Sequence, residues 1–339
     1  MIDSNRAWAH LDSLAKPQRS LGRLEVLAAR LASLQNTLKP VVRPRRLVLF
    51  AADHGVVASG VSAWPSEVTG LMVHTILSGR ATSSALAAAH DCGVRLVDVG
   101  VASALPQSPP HFYRCARIAP GTGNLALEPA MTVSRFEAAW QVGAEEAQLA
   151  VSEGNVVLIA GEMGIGNTTP AACLAALLAD VPATLAVGRG AGADDATFQS
   201  KLSVVQGAVT RAYPLLETDA RAAIAAVAGF EIVAMAGFFA NGACLGATLL
   251  LDGYVATAAA LIAERLQPGA VNSMIAAHLS AEPGHGATLT RLGLEPLLDW
   301  NMRLGEGTGA LLALPMLDSA VALLRDVAAL SDLGVARED

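Results

Sequence analysis

The stretch Gly161-Glu162-Met163-Gly164-Ile165-Gly166-Asn167-Thr168-Thr169-Pro170 constrains this chain more than any other. It follows a wholly apolar run, Val156 to Ala160, which predicts a buried strand. It precedes Ala171 to Leu178, rich in Ala and Leu, which predicts a helix. Strand, glycine-rich turn and helix N-terminus together make an anion site. The first N–H groups of the helix lack intrahelical partners, and the helix dipole favours negative charge there. Glycines let a phosphate come close to the backbone. Thr168 or Thr169 is expected to cap the helix, with Pro170 in its first turn.

The spacing from Gly161 to Gly166 and Thr168 comes close to a nucleotide P-loop, but Asn167 stands in the lysine position. A P-loop uses that lysine on the β- and γ-phosphates, so its absence favours one phosphate over a triphosphate. Glu162 points the same way. A carboxylate repels a phosphate, so Glu162 is expected to face a sugar hydroxyl or a cationic group. A tight turn without a ligand is the alternative, although three glycines, an Asn and two Thr exceed what a turn needs.

Further apolar runs predict strands at Leu47 to Ala52, Val94 to Val99, Thr184 to Val187, Ala247 to Leu251 and Val271 to Leu279. Helical patterns lie between them: Met1 to Gln35 (capped at Ser20), Glu67 to Ala89, and Thr132 through Ser152. Others are Thr197 to Tyr213 (carrying Lys201), Gly229 to Ala243, Val255 to Leu266, Arg291 to Trp300, and a last helix through Leu330. This alternation predicts an α/β fold with a mostly parallel, doubly wound sheet. The terminal helices are expected to pair as a smaller helical domain, residues 1–40 and 287–339, beside a large domain of residues 41–286. Most strands end in polar or glycine-rich loops, among them Asp53-His54-Gly55, Gly188-Arg189-Gly190 and Ser280 to Gly286. A single crevice at the C-terminal edge of the sheet follows. The Gly188 loop is a weak dinucleotide signal; it reads as a second ligand wall or simply as a turn. The basic segment Lys16 to Arg23 meets an anion or is a solvated helix start.

Bulk properties exclude several classes. The net charge of −7 makes no electrostatic case for nucleic acid or an anionic membrane. The mean hydropathy of +0.45 raises the question of a membrane span. The longest apolar stretches, Thr168 to Gly188 and Gly307 to Leu324, are interrupted by Asp180 and Pro182 and by Pro315 and Asp318, so both read as core or subunit interface. Met1 to Leu14 is polar and mixed, so no signal peptide is expected. Scattered Cys92, Cys115, Cys173 and Cys244 suit a reducing, cytoplasmic setting.

Glu306 lies between glycines in Leu304-Gly305-Glu306-Gly307-Thr308-Gly309. Its carboxylate reads as a general base exposed to whatever fills the crevice, or as an acid favoured by a helix dipole. No Ser sits in a Gly-x-Ser-x-Gly elbow. His54, His74 and His285 with Asp53 and Glu282 match no ligand spacing, so no metal is expected.

Taken together, these motifs resemble the nicotinate-nucleotide–dimethylbenzimidazole phosphoribosyltransferase family, whose members make the lower-ligand nucleotide of cobalamin. The resemblance runs almost end to end. It rests on Lys16-Pro17 through Leu21-Gly22, Asp53-His54-Gly55 with Gly60-Val61-Ser62, Gly161 to Thr169, and Gly188-Arg189-Gly190. It rests also on Phe230-Glu231-Ile232, Ser280 to His285, and Arg303 to Gly309. It implies a Rossmann-like sheet with a small helical domain, working as a homodimer without a cofactor. It implies transfer of phosphoribose from nicotinate mononucleotide to 5,6-dimethylbenzimidazole, giving α-ribazole 5′-phosphate and nicotinate. Under the resemblance Glu306 is the general base and Glu162 belongs to the ribose and base site. Gly164, Gly166 and Asn167 line the nucleotide, Lys201 and Ser280 lie at its phosphate end, and Trp64 lies beside the base. Ser62, Thr168, Gly188, Gly190 and Leu304 complete the implied substrate-binding set.

The chain departs from the family pattern at Arg19 and Ala52, each where glycine is usual. Trp64 replaces the commoner Tyr or Phe, and Leu71 lies where many members carry Gln. The last two bear on the acceptor, so adenine, another benzimidazole or a phenol stay open as alternatives. Two other classes also stand: a nucleotide-binding module without turnover, and a metal-dependent hydrolase built on Asp53, His54 and His285.

Overall fold

The computed structural model describes residues 4–103, 108–190 and 192–334. Its strands are β1 (Arg45–Ala52), β2 (Gly93–Gly100), β3 (Tyr113–Cys115), β4 (Val157–Met163), β5 (Thr248–Leu251), β6 (Met274–Ala276), β7 (His278–Ser280) and β8 (Leu298–Met302). The helices are α1 (Ser4–Ser13), α2 (Arg23–Leu34), α3 (Glu67–Leu77), α4 (Thr82–Ala89), α5 (Val133–Ser152), α6 (Thr168–Ala179) and α7 (Ala183–Ala186). They continue as α8 (Asp195–Ala212), α9 (Ala220–Ala225), α10 (Phe230–Cys244), α11 (Tyr254–Leu266), α12 (His285–Arg291) and α13 (Thr308–Asp326).

Strands β1 to β6 form one parallel sheet in the order β3-β2-β1-β4-β5-β6. Its central strands read as unbroken apolar runs because both faces are covered. Val48, Phe50 and Ala52 of β1 enter one core with Leu158 and Ala160 of β4, under α5, α6 and α8 to α11. Leu47, Leu49 and Ala51 enter the other with Val157 and Ile159, under α1 to α4 and α13. The alternation is the strand period of two. Among the described residues α13 alone is long and apolar enough to cross a membrane, and its Leu311, Leu314 and Leu317 are fully buried in the second core.

The order reverses at the centre. The chain lays β2 and β3 outward from β1, returns through α5, and places β4 on the other side of β1. Ligands in open α/β sheets bind outside the carboxyl ends of the strands at such a reversal. Here those ends carry Asp53-His54-Gly55 and Glu162-Met163-Gly164.

Several local expectations are corrected. Thr184 to Val187 is the short helix α7, where the Leu185 and Ala186 N–H groups bond the Pro182 carbonyl. Val271 to Leu279 divides: Ala270–Ser273 is a 3-10 turn, β6 closes the main sheet, and β7 leaves it to pair with β8. Arg291 to Trp300 is not a helix; α12 ends before Gly293, which has φ +67, and β8 follows. The first helix breaks at Lys16-Pro17 and resumes after Gly22; Ser20 does not cap it, and the Glu25 carboxylate takes the Leu21 N–H instead. Glu67 to Ala89 breaks at Gly79, with φ +72. Asn167, not a threonine side chain, occupies the N-cap of α6. The last helix stops at Asp326. Thr132 does cap α5, accepting the Arg135 N–H. The charged tail after Gly334 lies outside the described residues.

Candidate active site

One cleft opens at the reversal point. Ser62, Glu162, Gly164, Gly166, Asn167, Thr168, Gly190, Lys201, Ser280 and Leu304 all line it. Gly188 lies just behind the wall and reaches it through its carbonyl, which accepts a hydrogen bond from Lys201. Trp64 adjoins the lining residue Ala63 and is half-exposed. Glu306 does not line the cleft; it sits behind Gly305 and is buried.

The cationic end is built from two helix starts and Lys201, with Arg189, paired to Asp195, also lining it. Asn167 and Thr168 open α6, and Tyr254, Val255 and Ala256 open α11; all five line the cleft. Lys201 of α8 comes in between, 1% exposed, donating to Thr168 Oγ1 at 2.7 Å and to the Gly188 carbonyl at 3.1 Å. Burial lowers its pKa to about 8, against the opposing pull of the Glu282 carboxylate. A buried ammonium whose direct contacts are neutral acceptors, beside two helix N-termini, suits a phosphate.

The other end is acidic. Burial, and then the charges of Glu231, Asp252 and Glu306, raise the pKa of Glu162 to about 8, although Asn167 donates a hydrogen bond to its carboxylate. Glu162 therefore carries its proton at neutral pH while the cleft is empty. Next to it the backbone turns through three consecutive left-handed residues: Gly305 at φ +89, Glu306 at φ +57 and Gly307 at φ +74. Left-handed φ costs a non-glycine residue about 1 kcal/mol or more, so the turn must be held from outside. Asp252, at the end of β5, does this by accepting the N–H groups of Gly307, Gly309 and Ala310.

Known proteins are similar to this chain in sequence and in fold. The family model described as phosphoribosyltransferase matches residues 3–335. A Thermus thermophilus protein named nicotinate-nucleotide–dimethylbenzimidazole phosphoribosyltransferase is 46% identical over 335 residues, covering 98% of each chain. One of the same name from Mycobacterium marinum is 46% identical over 331 residues, covering 97% of this chain and 91% of its own. A crystal structure of CobT from Thermus thermophilus superposes with a TM-score of 0.95 at 45% identity, covering 99% of both chains.

The chain belongs to the nicotinate-nucleotide–dimethylbenzimidazole phosphoribosyltransferase family.

In this family member the histidines of the resembling motifs serve the fold. His54 Nε2 lies 2.8 Å from Glu231 Oε1, both side chains fully buried. His285 Nδ1 accepts the Ser280 N–H, so Nε2 carries the proton and faces Thr257 Oγ1 at 2.9 Å. Burial lowers the His285 pKa to about 3, which keeps the ring neutral and the Ser280 turn closed. Among the described residues no group of three or more His, Cys, Asp and Glu is placed to hold a metal ion.

Gly164 shows why the loop needs its glycines. A Cβ there would stand 2.5 Å from the Ala52 carbonyl oxygen and 2.9 Å from His54 Nε2. Gly164→Ala must therefore push the loop off β1, and a shift of about 1 Å at a reacting site costs on the order of 10²-fold in rate. Steady-state kinetics of Gly164→Ala should show that loss in kcat/KM; a value near wild type would mean the loop has room to spare.

Sequence reasoning missed the start of α11, Asp252 and Ser83. The first two had a signal in Asp252-Gly253 closing a predicted strand, but that pair also reads as an ordinary turn. Ser83 had none, because its partner Glu306 lies 223 residues away.

Proposed function

We propose that this chain moves the phosphoribosyl group of nicotinate mononucleotide onto N1 or N3 of 5,6-dimethylbenzimidazole, giving α-ribazole 5′-phosphate and nicotinate. One observation carries the reading: a single cleft joins a cationic end, lined by Lys201 and two helix starts, to a carboxyl end at Glu162 with Glu306 behind it. The named relatives support the same substrates.

The chemistry needs no group beyond these. The ring nitrogen of bound nicotinate mononucleotide is cationic and leaves as a neutral pyridine nitrogen, so the leaving group takes no proton. The unprotonated benzimidazole nitrogen attacks C1′ from the opposite face, which inverts the β-linkage to α. As the new C–N bond forms, the other ring nitrogen becomes acidic, and Glu306, behind Gly305, takes its proton directly or through one water. Carboxylates facing the ribose stabilise the oxocarbenium-like transition state; Glu162 acts this way once the cationic substrate has displaced its proton. Ser280, Thr168, Gly166, Gly188 and Gly190 place the nucleotide, and Ser62, Trp64 and Leu304 border the acceptor.

Trp64 and Leu71 are 50% and 64% exposed, and the family pattern puts both positions beside the acceptor. Purified protein incubated with nicotinate mononucleotide and, separately, dimethylbenzimidazole, adenine and a phenol, with products identified by mass, ranks the acceptors. Dimethylbenzimidazole is expected to lead. Preference for another acceptor would keep the transfer and change the substrate; an unconsumed mononucleotide would favour a binding module. We further propose a cytoplasmic homodimer, a state that sedimentation equilibrium distinguishes from a monomer of 34.7 kDa.

A further inference from the structure

Ser83 lies in the first turn of α4, where serine usually caps the helix or meets solvent. Here it is fully buried, and its hydroxyl donates to Glu306 Oε2 at 2.8 Å. Burying a hydroxyl is unfavourable unless it finds a partner, and this one has found a carboxylate. The two residues come from opposite ends of the chain, and the contact joins α4 to the left-handed turn ahead of α13.

The geometry of that turn makes the contact more than packing. Asp252 pins the backbone on the C-terminal side of Glu306 through three N–H groups. Those bonds hold the main chain only, while the buried Glu306 carboxylate meets Ser83. Ser83 holds one carboxylate oxygen from the α4 side. The carboxylate is thus tied at both ends, its main chain through β5 and its side chain through α4.

We propose that Ser83 is a positioning residue for Glu306, its hydroxyl holding the carboxylate in the single orientation from which it takes the acceptor proton. This rests on Glu306 being the base. Ser83 does not line the cleft and acts through Glu306. The role therefore belongs to the chemical step, with donor binding at Lys201 unaffected.

The test is a double-mutant cycle with Ser83→Ala and Glu306→Gln, each variant checked for folding by circular dichroism, and with Ser83→Thr as the variant that keeps the hydroxyl. Leaving a charged acceptor without its donor should lower kcat by about tenfold in Ser83→Ala. The KM for nicotinate mononucleotide should stay within about twofold, as for an interaction used only in the chemical step. Ser83→Thr should recover most of the rate. In the Glu306→Gln background Ser83→Ala should cost nothing further, since the group it positions is gone. A wild-type or higher kcat in Ser83→Ala, or losses that multiply in the double variant, would overturn the proposal. If Glu306→Gln alone turns over normally, the base assignment fails instead, and the two failures are told apart.

Discussion

Replacing Glu306 by glutamine is expected to leave the fold intact and to cut turnover by about 10²–10⁴-fold, the usual share of a positioned general base. Glutamine keeps the shape and the hydrogen bond from Ser83, but it cannot accept the benzimidazole proton. The loss should fall on kcat, because donor binding is carried at the far end of the cleft by Lys201 and the starts of α6 and α11. Left-handed φ at Glu306 is no less tolerable for glutamine than for glutamate, so thermal melting should move little. Normal turnover in this variant would remove Glu306 from the base role and turn attention to Glu162, a buried acid that lines the cleft.

Lys201→Ala is expected to raise the KM for nicotinate mononucleotide by about 10- to 100-fold, the worth of a charge-assisted hydrogen bond to phosphate. The effect has a pH signature. Burial brings the Lys201 pKa down to about 8, so the side chain is an ammonium below that pH and loses its charge above it. The phosphate prefers the ammonium. Displacing the Glu162 proton lowers donor KM as pH rises toward 8, and loss of the Lys201 charge raises it again past 8, so donor KM should pass through a minimum near pH 8. Lys201→Arg should remove the climb, because guanidinium keeps its charge throughout this range, although its planar fork will not reproduce the contacts to Thr168 and Gly188. A donor KM indifferent to pH from about 7 to about 9.5 would mean that Lys201 does not meet the phosphate.

Much of this architecture is legible in the residues. Leu47 to Ala52 and Val157 to Ala160 stand out because a parallel strand covered on both faces has no polar side to hide. The loop from Gly161 to Pro170 announces an anion site, because each of its residue types answers a separate demand of strand, close approach and helix start. The short strands are another matter. His278 and Ser280 in β7, and Asp299 and Asn301 in β8, are polar, and three to five residues leave no period to detect. Helix breaks at Gly79 and Gly293 were readable in principle, since both glycines take left-handed φ, but flanking helix formers masked them.

The site divides along the same line. Side chains that line the cleft from a signature loop, such as Asn167 and Thr168, are evident from local sequence. Those that act across the fold are not. Asp252 anchors the Glu306 turn from β5, and Ser83 reaches it from α4. Glu162 acquires its raised pKa from burial and from acids on three other segments, Glu231, Asp252 and Glu306. Such effects arise only when the sheet brings distant segments together.

The most direct measurement is the configuration at C1′ of the product made by purified protein from nicotinate mononucleotide and 5,6-dimethylbenzimidazole, read by NMR. Attack from the face opposite departing nicotinate predicts α-ribazole 5′-phosphate alone, formed one for one with nicotinate. A β-linked product, or nicotinate released with only ribose 5-phosphate beside it, would contradict direct transfer within this cleft.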